Sequence, residues 1–182
     1  MFKKYSDKEH SPSVNNMKSS VQRGVRAKVI TQFPFIEDYI DEILPKKETL
    51  KLVKLPDHIE LVASQAGQPL FFKHRDGDYY PTLRILHKYP FMLPHMQVDK
   101  GAIRFVLSGA NIMCPGLTSP GARMTMVNEG TVVAVMAEGK EHALAVGLTT
   151  MSSEDILSKN KGIGVECAHF LNDGLWKMKP LR

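Results

Sequence analysis

The segment Val98-Asp99-Lys100-Gly101-Ala102-Ile103-Arg104-Phe105-Val106-Leu107-Ser108-Gly109-Ala110-Asn111-Ile112-Met113-Cys114-Pro115-Gly116 carries two cations four residues apart and, after them, a glycine corner. Asp99 is placed to cap or lead a short helix with Ile103, Val106 and Leu107 on its apolar face and Lys100 and Arg104 on the other. Gly109 stops that helix in the left-handed conformation that a side chain would penalise. Asn111 to Cys114 reads as a brief apolar strand, turned by Pro115-Gly116. This arrangement suits a phosphate or a nucleobase. The helix brings positive charge, and the glycines let another chain approach the backbone.

Nothing comparable points to bond-making chemistry. None of the seven histidines (His10, His58, His74, His87, His95, His142 and His169) has the local spacing of a metal motif. Cys114 and Cys167 are too few for a disulfide framework and too far apart for a zinc motif, so both are expected as reduced, packed thiols. There is no nucleophile elbow and no Walker lysine, and Lys161-Gly162-Ile163-Gly164 is too short for a dinucleotide loop. The reading is therefore of a non-enzyme with no metal and no cofactor. The 182 residues carry a formal net charge of +5, which permits a polyanionic partner without requiring one. With no signal-like segment and no membrane-length apolar run, a soluble, cytoplasmic protein is expected.

The elements that must position these residues fall into two halves. Met1 to Met17 is polar, with a short strand at Lys3–Tyr5 or else a flexible lead-in. A helix from Ser20 buries Val21, Val25, Val29 and Phe33, while Gln22, Arg23, Arg26 and Lys28 project outward. Pro34 opens a second helix with a stripe of Phe35, Ile36, Tyr39, Ile40, Ile43 and Leu44. Strands follow at Leu50–Leu55, Ile59–Ala63 and Leu70–Lys73, then a helix from Thr82 to Lys88. The basic residues Lys73, His74, Arg75, Arg84, His87 and Lys88 would extend the basic surface of Lys100 and Arg104 if the fold made them contiguous. In the second half, strands are expected at Thr131–Ala137, Ala143–Thr149 and Val165–Leu171. A helix capped by Ser152 lies between the last two, and Asn172-Asp173-Gly174 turns into a final strand at Leu175–Met178. Trp176 is expected in the core. The fold class is α+β, with an N-terminal α+β domain (1–92) packed against a C-terminal mixed pseudo-barrel (93–182).

The runs Asp99-Lys100-Gly101-Ala102, Leu107-Ser108-Gly109-Ala110-Asn111 and Cys114-Pro115-Gly116 resemble the opening of a PUA domain, an RNA-binding pseudo-β-barrel. Tyr80 through Pro120 resembles the eukaryotic malignant T-cell amplified sequence proteins. Met1-Phe2-Lys3-Lys4, Gln32-Phe33-Pro34, Pro45-Lys46-Lys47 and the ending Leu171 to Trp176 fit the same family. The resemblance implies a translation factor that binds density-regulated protein and the 40S ribosomal subunit through rRNA. Its implied roles are reinitiation, non-standard recruitment of initiator tRNA and recycling after termination. Carried onto matching positions, it implies an RNA face of Lys100, Gly101, Ala102, Arg104, Ser108, Gly109 and Ala110, with Arg84 and Lys88 outside the domain. Thr82 and Ser119 fall where the family has phosphorylatable residues. The alternative is a protein-interaction scaffold whose PUA fold contributes little RNA affinity.

Overall fold

The computed structural model describes residues 1–182 as two antiparallel-dominated sheets with short helices between them. The first is a meander, β1 (Ser13–Asn16), β2 (Lys51–Leu55), β3 (Ile59–Ala63), β4 (Pro69–His74) and β5 (Tyr80–Pro81), each strand pairing with the next. Helix α1 (Ser19–Gln32), a 3-10 segment over Pro34–Tyr39, α2 (Ile40–Ile43) and α3 (Leu83–Lys88) share its core through Val25, Val29, Ile36, Ile40, Leu83 and Leu86.

The second sheet contains β6 (His95–Val98), β7 (Ile112–Met113), β8 (Arg123–Met124), β9 (Val132–Ala137), β10 (Ala145–Thr149) and β11 (Ile163–Phe170), in the spatial order β7-β11-β10-β9-β6-β8. Strand β6 runs parallel to β9, and every other pairing in that sheet is antiparallel. Its helices are α4 (Ile103–Val106), α5 (Pro115–Thr118), α6 (Ser153–Lys159) and α7 (Gly174–Lys177).

The continuous apolar run in β9 has a specific cause. Val133, Val135 and Ala137 face the core of the second domain, while Val132 and Ala134 join the larger core of the first. A strand buried on both faces has no reason to alternate. The same larger core takes in Ala143, Val146, Ala168, Leu175, Met178 and Leu181, so the hydrophobic effect welds the two domains. The C-terminal segment returns to the first domain, where Leu181 N donates to Gly67 O at 2.9 Å. Phe2, fully buried, meets Phe72 and His169 from the opposite terminus.

Several local expectations change. The opening residues are neither strand nor free lead-in; they fold on the buried Phe2, and the first strand is β1. On α1 the buried face is Gln22, Val25, Arg26 and Val29, and Val21 is exposed. Gln22 and Arg26 turn inward because main-chain acceptors await them: Pro45 O and Glu48 O for Gln22, Leu44 O for Arg26. Phe35 and Tyr39 stand in solvent, off the expected stripe. In place of the expected strand at Leu175–Met178 the chain forms α7, because Asp173 caps it by accepting from Trp176 N at 2.9 Å. Trp176 is half-buried at the junction, with the Arg84 guanidinium over its ring at 4.1 Å.

At the same junction the ring nitrogen Nε2 of His87 lies 2.8 Å from Ala143 O, and the His142 ring sits 5.1 Å from the His87 ring. Burial pushes the His87 pKa down; the bond to Ala143 opposes this, and the charges of His142, His169 and Arg84 add to it. A histidine lowered in the folded state binds fewer protons there than in the unfolded chain. Its stability contribution is intact above the ordinary value of 6.5 and is lost as pH falls through the lowered one. Thermal unfolding should therefore show a drop in midpoint between about pH 7.5 and about pH 5. His87→Gln, which keeps a donor towards Ala143 O, should show a smaller drop. An equal drop in both proteins would remove His87 from the acid response.

Candidate nucleic-acid interface

The 98–119 segment is built around Asp99. Its Oδ1 accepts from Ala102 N at 2.9 Å, capping a 3-10 turn over Lys100–Ala102 that runs into α4. Its Oδ2 accepts from the Ser119 hydroxyl, which ties the helix start to the end of α5. Asp99 N donates to Gly116 O at 3.3 Å, closing the same corner. Where a simple turn was expected at Pro115-Gly116, proline instead starts the one-turn helix α5.

These elements enclose a groove of about 540 Å³. Its wall runs through Gly101, Ala102, Phe105, Ala110, Met113 and Gly116. Of the expected RNA-face residues, the groove brings together Gly101, Ala102 and Ala110. Lys100, Arg104 and Ser108 are exposed beside it, and the Arg104 guanidinium lies 4.8 Å from the Phe105 ring centre. Gly109 has φ +84°, and a Cβ there would come within 2.7 Å of the Phe170 ring. Lys100 N is fixed by Glu138 Oε2 at 3.2 Å, so the β9–β10 connection supports the cationic edge.

The apolar face of α4 is narrower than expected: Val106 is buried, Ile103 half-buried and Leu107 exposed. Phe105 and Met113, about half exposed on the groove wall, were missed as functional residues. For Phe105 alone the sequence offered a local cue. Phe105 lies off the buried stripe and next to a cation, where an apolar ring has no internal partner to seek.

Arg84 and Lys88 are not part of this groove. Both are exposed on α3, and Arg84 is engaged with Trp176, whose carbonyl accepts from it at 3.1 Å. The wider basic set does not form one surface either. Lys73 and Arg75 line a cavity with Asp57, Glu60 and Asp76, and Lys73 pairs with Glu60 at 3.7 Å. His87 faces the domain junction. Thr82 is 3% exposed, its hydroxyl accepting from Ile85 N at the start of α3, so a kinase reaches it only if that turn opens. Ser119 is half-buried against Asp99, and a phosphate there would repel that carboxylate.

No cluster of three or more His, Cys, Asp or Glu side chains is placed to hold a metal ion. Burial pushes the Cys114 thiol up and pushes Cys167 up to about 11, away from nucleophilic use. No helix is long and apolar enough to cross a membrane.

Residues 5–90 match the Pre-PUA-like domain model and residues 94–171 the PUA domain model. The chain is 62% identical over 182 residues, the whole of both chains, to the Malignant T-cell-amplified sequence 1 homolog of Drosophila melanogaster. It is 56% identical over the same 182 residues, again all of both chains, to Malignant T-cell-amplified sequence 2 of Homo sapiens. The fold is shared with a crystal structure from Pyrococcus horikoshii OT3 at a TM-score of 0.71 and 24% identity, covering 91% of this chain and 98% of that one. With its Pre-PUA-like half, its PUA half and its full-length alignment to these relatives, the chain belongs to the malignant T-cell-amplified sequence family.

Proposed function

We propose that this protein is a non-catalytic, cytoplasmic RNA-binding translation factor. Together with density-regulated protein it acts on the 40S ribosomal subunit in reinitiation, non-canonical initiator tRNA recruitment and post-termination recycling. The observation that carries the reading is the groove beside Lys100 and Arg104, in the PUA domain of a family member. The two cations are free of carboxylate partners within 4.0 Å and so are available to phosphates. The glycine-bearing rim admits a sugar-phosphate chain or an unstacked base, and Phe105 offers that base a ring to stack on.

A second reading, a protein-interaction scaffold with little RNA affinity, is favoured by one observation. No cation lines the groove itself, and Phe105 and Met113 expose apolar surface there.

Binding of purified small ribosomal subunits, with and without density-regulated protein, separates the two across a salt series. Lys100→Glu/Arg104→Glu should weaken subunit binding about tenfold or more and make the salt slope shallower by about 1.5, the effect of losing two phosphate contacts. Unchanged binding removes these cations from the interface. If Phe105→Ala abolishes capture of density-regulated protein while the charge reversal leaves subunit binding intact, the scaffold reading stands instead.

A further inference from the structure

We propose that a cavity on the first domain, between the start of α1 and the loop that follows α2, is a second contact for the phosphate backbone of RNA. The inference rests on the RNA-binding reading above and extends it to a surface outside the PUA domain. The cavity, about 480 Å³, is lined by Arg23, Arg26, Lys46 and Lys47 with the hydroxyls of Ser19 and Thr49, and Glu48 is the one carboxylate on its wall. Arg26 is neutralised by Asp41 at 2.7 Å. Arg23, Lys46, Lys47 and the neighbouring Lys18 are exposed and have no carboxylate within 4.0 Å. Unpaired like charges gathered in a concavity repel one another and raise the local positive potential, an arrangement relieved by a bound polyanion.

The cavity is held in shape rather than left to loop motion. The buried Gln22 side chain donates to Pro45 O at 3.3 Å and Glu48 O at 2.7 Å, and accepts from Leu50 N at 3.0 Å. Arg26 donates to Leu44 O from the same face of α1. Four main-chain groups on either side of Lys46 and Lys47 are thus fastened to the helix that presents Arg23. Cations on a fixed frame lose less entropy on meeting a phosphate than cations on a free loop. The lining includes a single apolar residue, Met17, so the cavity has little to offer a base or an acyl chain and much to offer phosphodiester oxygens. Two separated cationic contacts on one rigidly joined chain would raise affinity for a long RNA through effective concentration, without new base recognition.

The test uses the full chain and a fluorescein-labelled RNA hairpin, titrated by anisotropy across a salt series. Lys46→Glu/Lys47→Glu is compared with Lys28→Glu/Lys54→Glu, a charge-matched pair outside this cavity, and inorganic pyrophosphate is titrated by calorimetry. The first variant should bind the hairpin about tenfold more weakly than the control pair, with a salt slope shallower by about 1.5. If wild-type protein binds the hairpin and the two variants have equal affinity and slope, this site is overturned while the RNA-binding reading stands. If the lysine variant loses pyrophosphate but keeps the hairpin, the cavity takes small anions and the proposal also falls. Wild-type protein that binds no hairpin brings down both readings.

Discussion

Asp173→Ala is expected to lower the unfolding free energy by about 3 kcal/mol or more, the cost typical of removing one partner from a buried polar pair. Asp173 is 3% exposed and His169 is 1% exposed. Asp173 Oδ2 accepts from His169 Nδ1 at 2.7 Å and from Phe170 N at 3.0 Å, while Oδ1 accepts from Trp176 N at 2.9 Å. Alanine would leave all three donors without this partner, and each buried orphan, as at His169 and Phe170 N, costs about 1–3 kcal/mol. It also removes the cap of α7, whose Leu175 anchors the C-terminal segment in the shared core. Asp173→Asn should cost less, because one amide oxygen can still cap α7. Its NH2 must then take the Oδ2 position and face both His169 Nδ1 and Phe170 N–H, so it should not be neutral. Chemical denaturation of the full chain reads both values. A loss under about 1 kcal/mol for the alanine variant would mean that water replaces the carboxylate and that the site is less closed than its burial indicates.

That carboxylate shows where sequence reasoning runs out. Asn172-Asp173-Gly174 has the composition of a hairpin turn, and the same residues serve equally as a helix start. Only His169, four residues back and turned inward at the end of β11, makes Asp173 a capping and pairing residue. Phe2 was illegible for a related reason: its neighbours, Phe72 and His169, are distant in sequence, so a polar stretch around it looked unstructured. On α1 the expected face stepped by four residues from Val21. Each such step drifts by about 40° around a helix of 3.6 residues per turn, so with Val25, Val29 and Phe33 buried the row starts outside the core at Val21. The observed 22, 25, 26 and 29 set is a straight helical face, disguised because two of its members are polar. Strands β2, β3, β9 and β10 were legible because apolar runs bounded by turn residues need only local information. So was the cap of α6, where Ser152 accepts from the main chain three residues on.

At the groove, the positions that local chemistry governs were readable and the packing was not. Asp99 as a cap and Gly109 in the left-handed region both stand in the structure. The half-exposed Phe105 of α4 and Met113 of β7 were not anticipated, because which side of a one-turn helix or a two-residue strand faces solvent depends on what lies beneath it. Here Phe170 and Val165, from β11, share the core into which Val106 and Ile112 turn. The basic residues of the first domain do not join that surface, for the same reason. Their adjacency in sequence, Lys73-His74-Arg75 and then Arg84 to Lys88, spans a strand end and a helix that address different surfaces.

Gly109→Ala is expected to destabilise the protein by about 3 kcal/mol, with two separable causes. A left-handed conformation costs a residue with a Cβ about 1–2 kcal/mol. Overpacking adds about 1–3 kcal/mol, because the new methyl would press on the Phe170 ring at 2.7–2.8 Å. Gly162 provides the comparison: its φ is +82°, close to the +84° of Gly109, yet a Cβ there meets nothing within 4 Å. Gly162→Ala should therefore lose only the conformational part, and the difference between the two variants measures the steric part alone. Phe170 cannot yield freely, since it is 9% exposed and belongs to the core of the PUA domain with Val106 and Ile112. Those two residues also line the groove, so relief of the clash shifts the groove wall. Gly109→Ala should then weaken RNA binding beyond what its stability loss explains at a temperature where it stays folded, whereas Gly162→Ala should not. Equal destabilisation by the two alanines would mean that the Phe170 ring moves aside without resistance, and the coupling between this glycine corner and the groove would be lost with it.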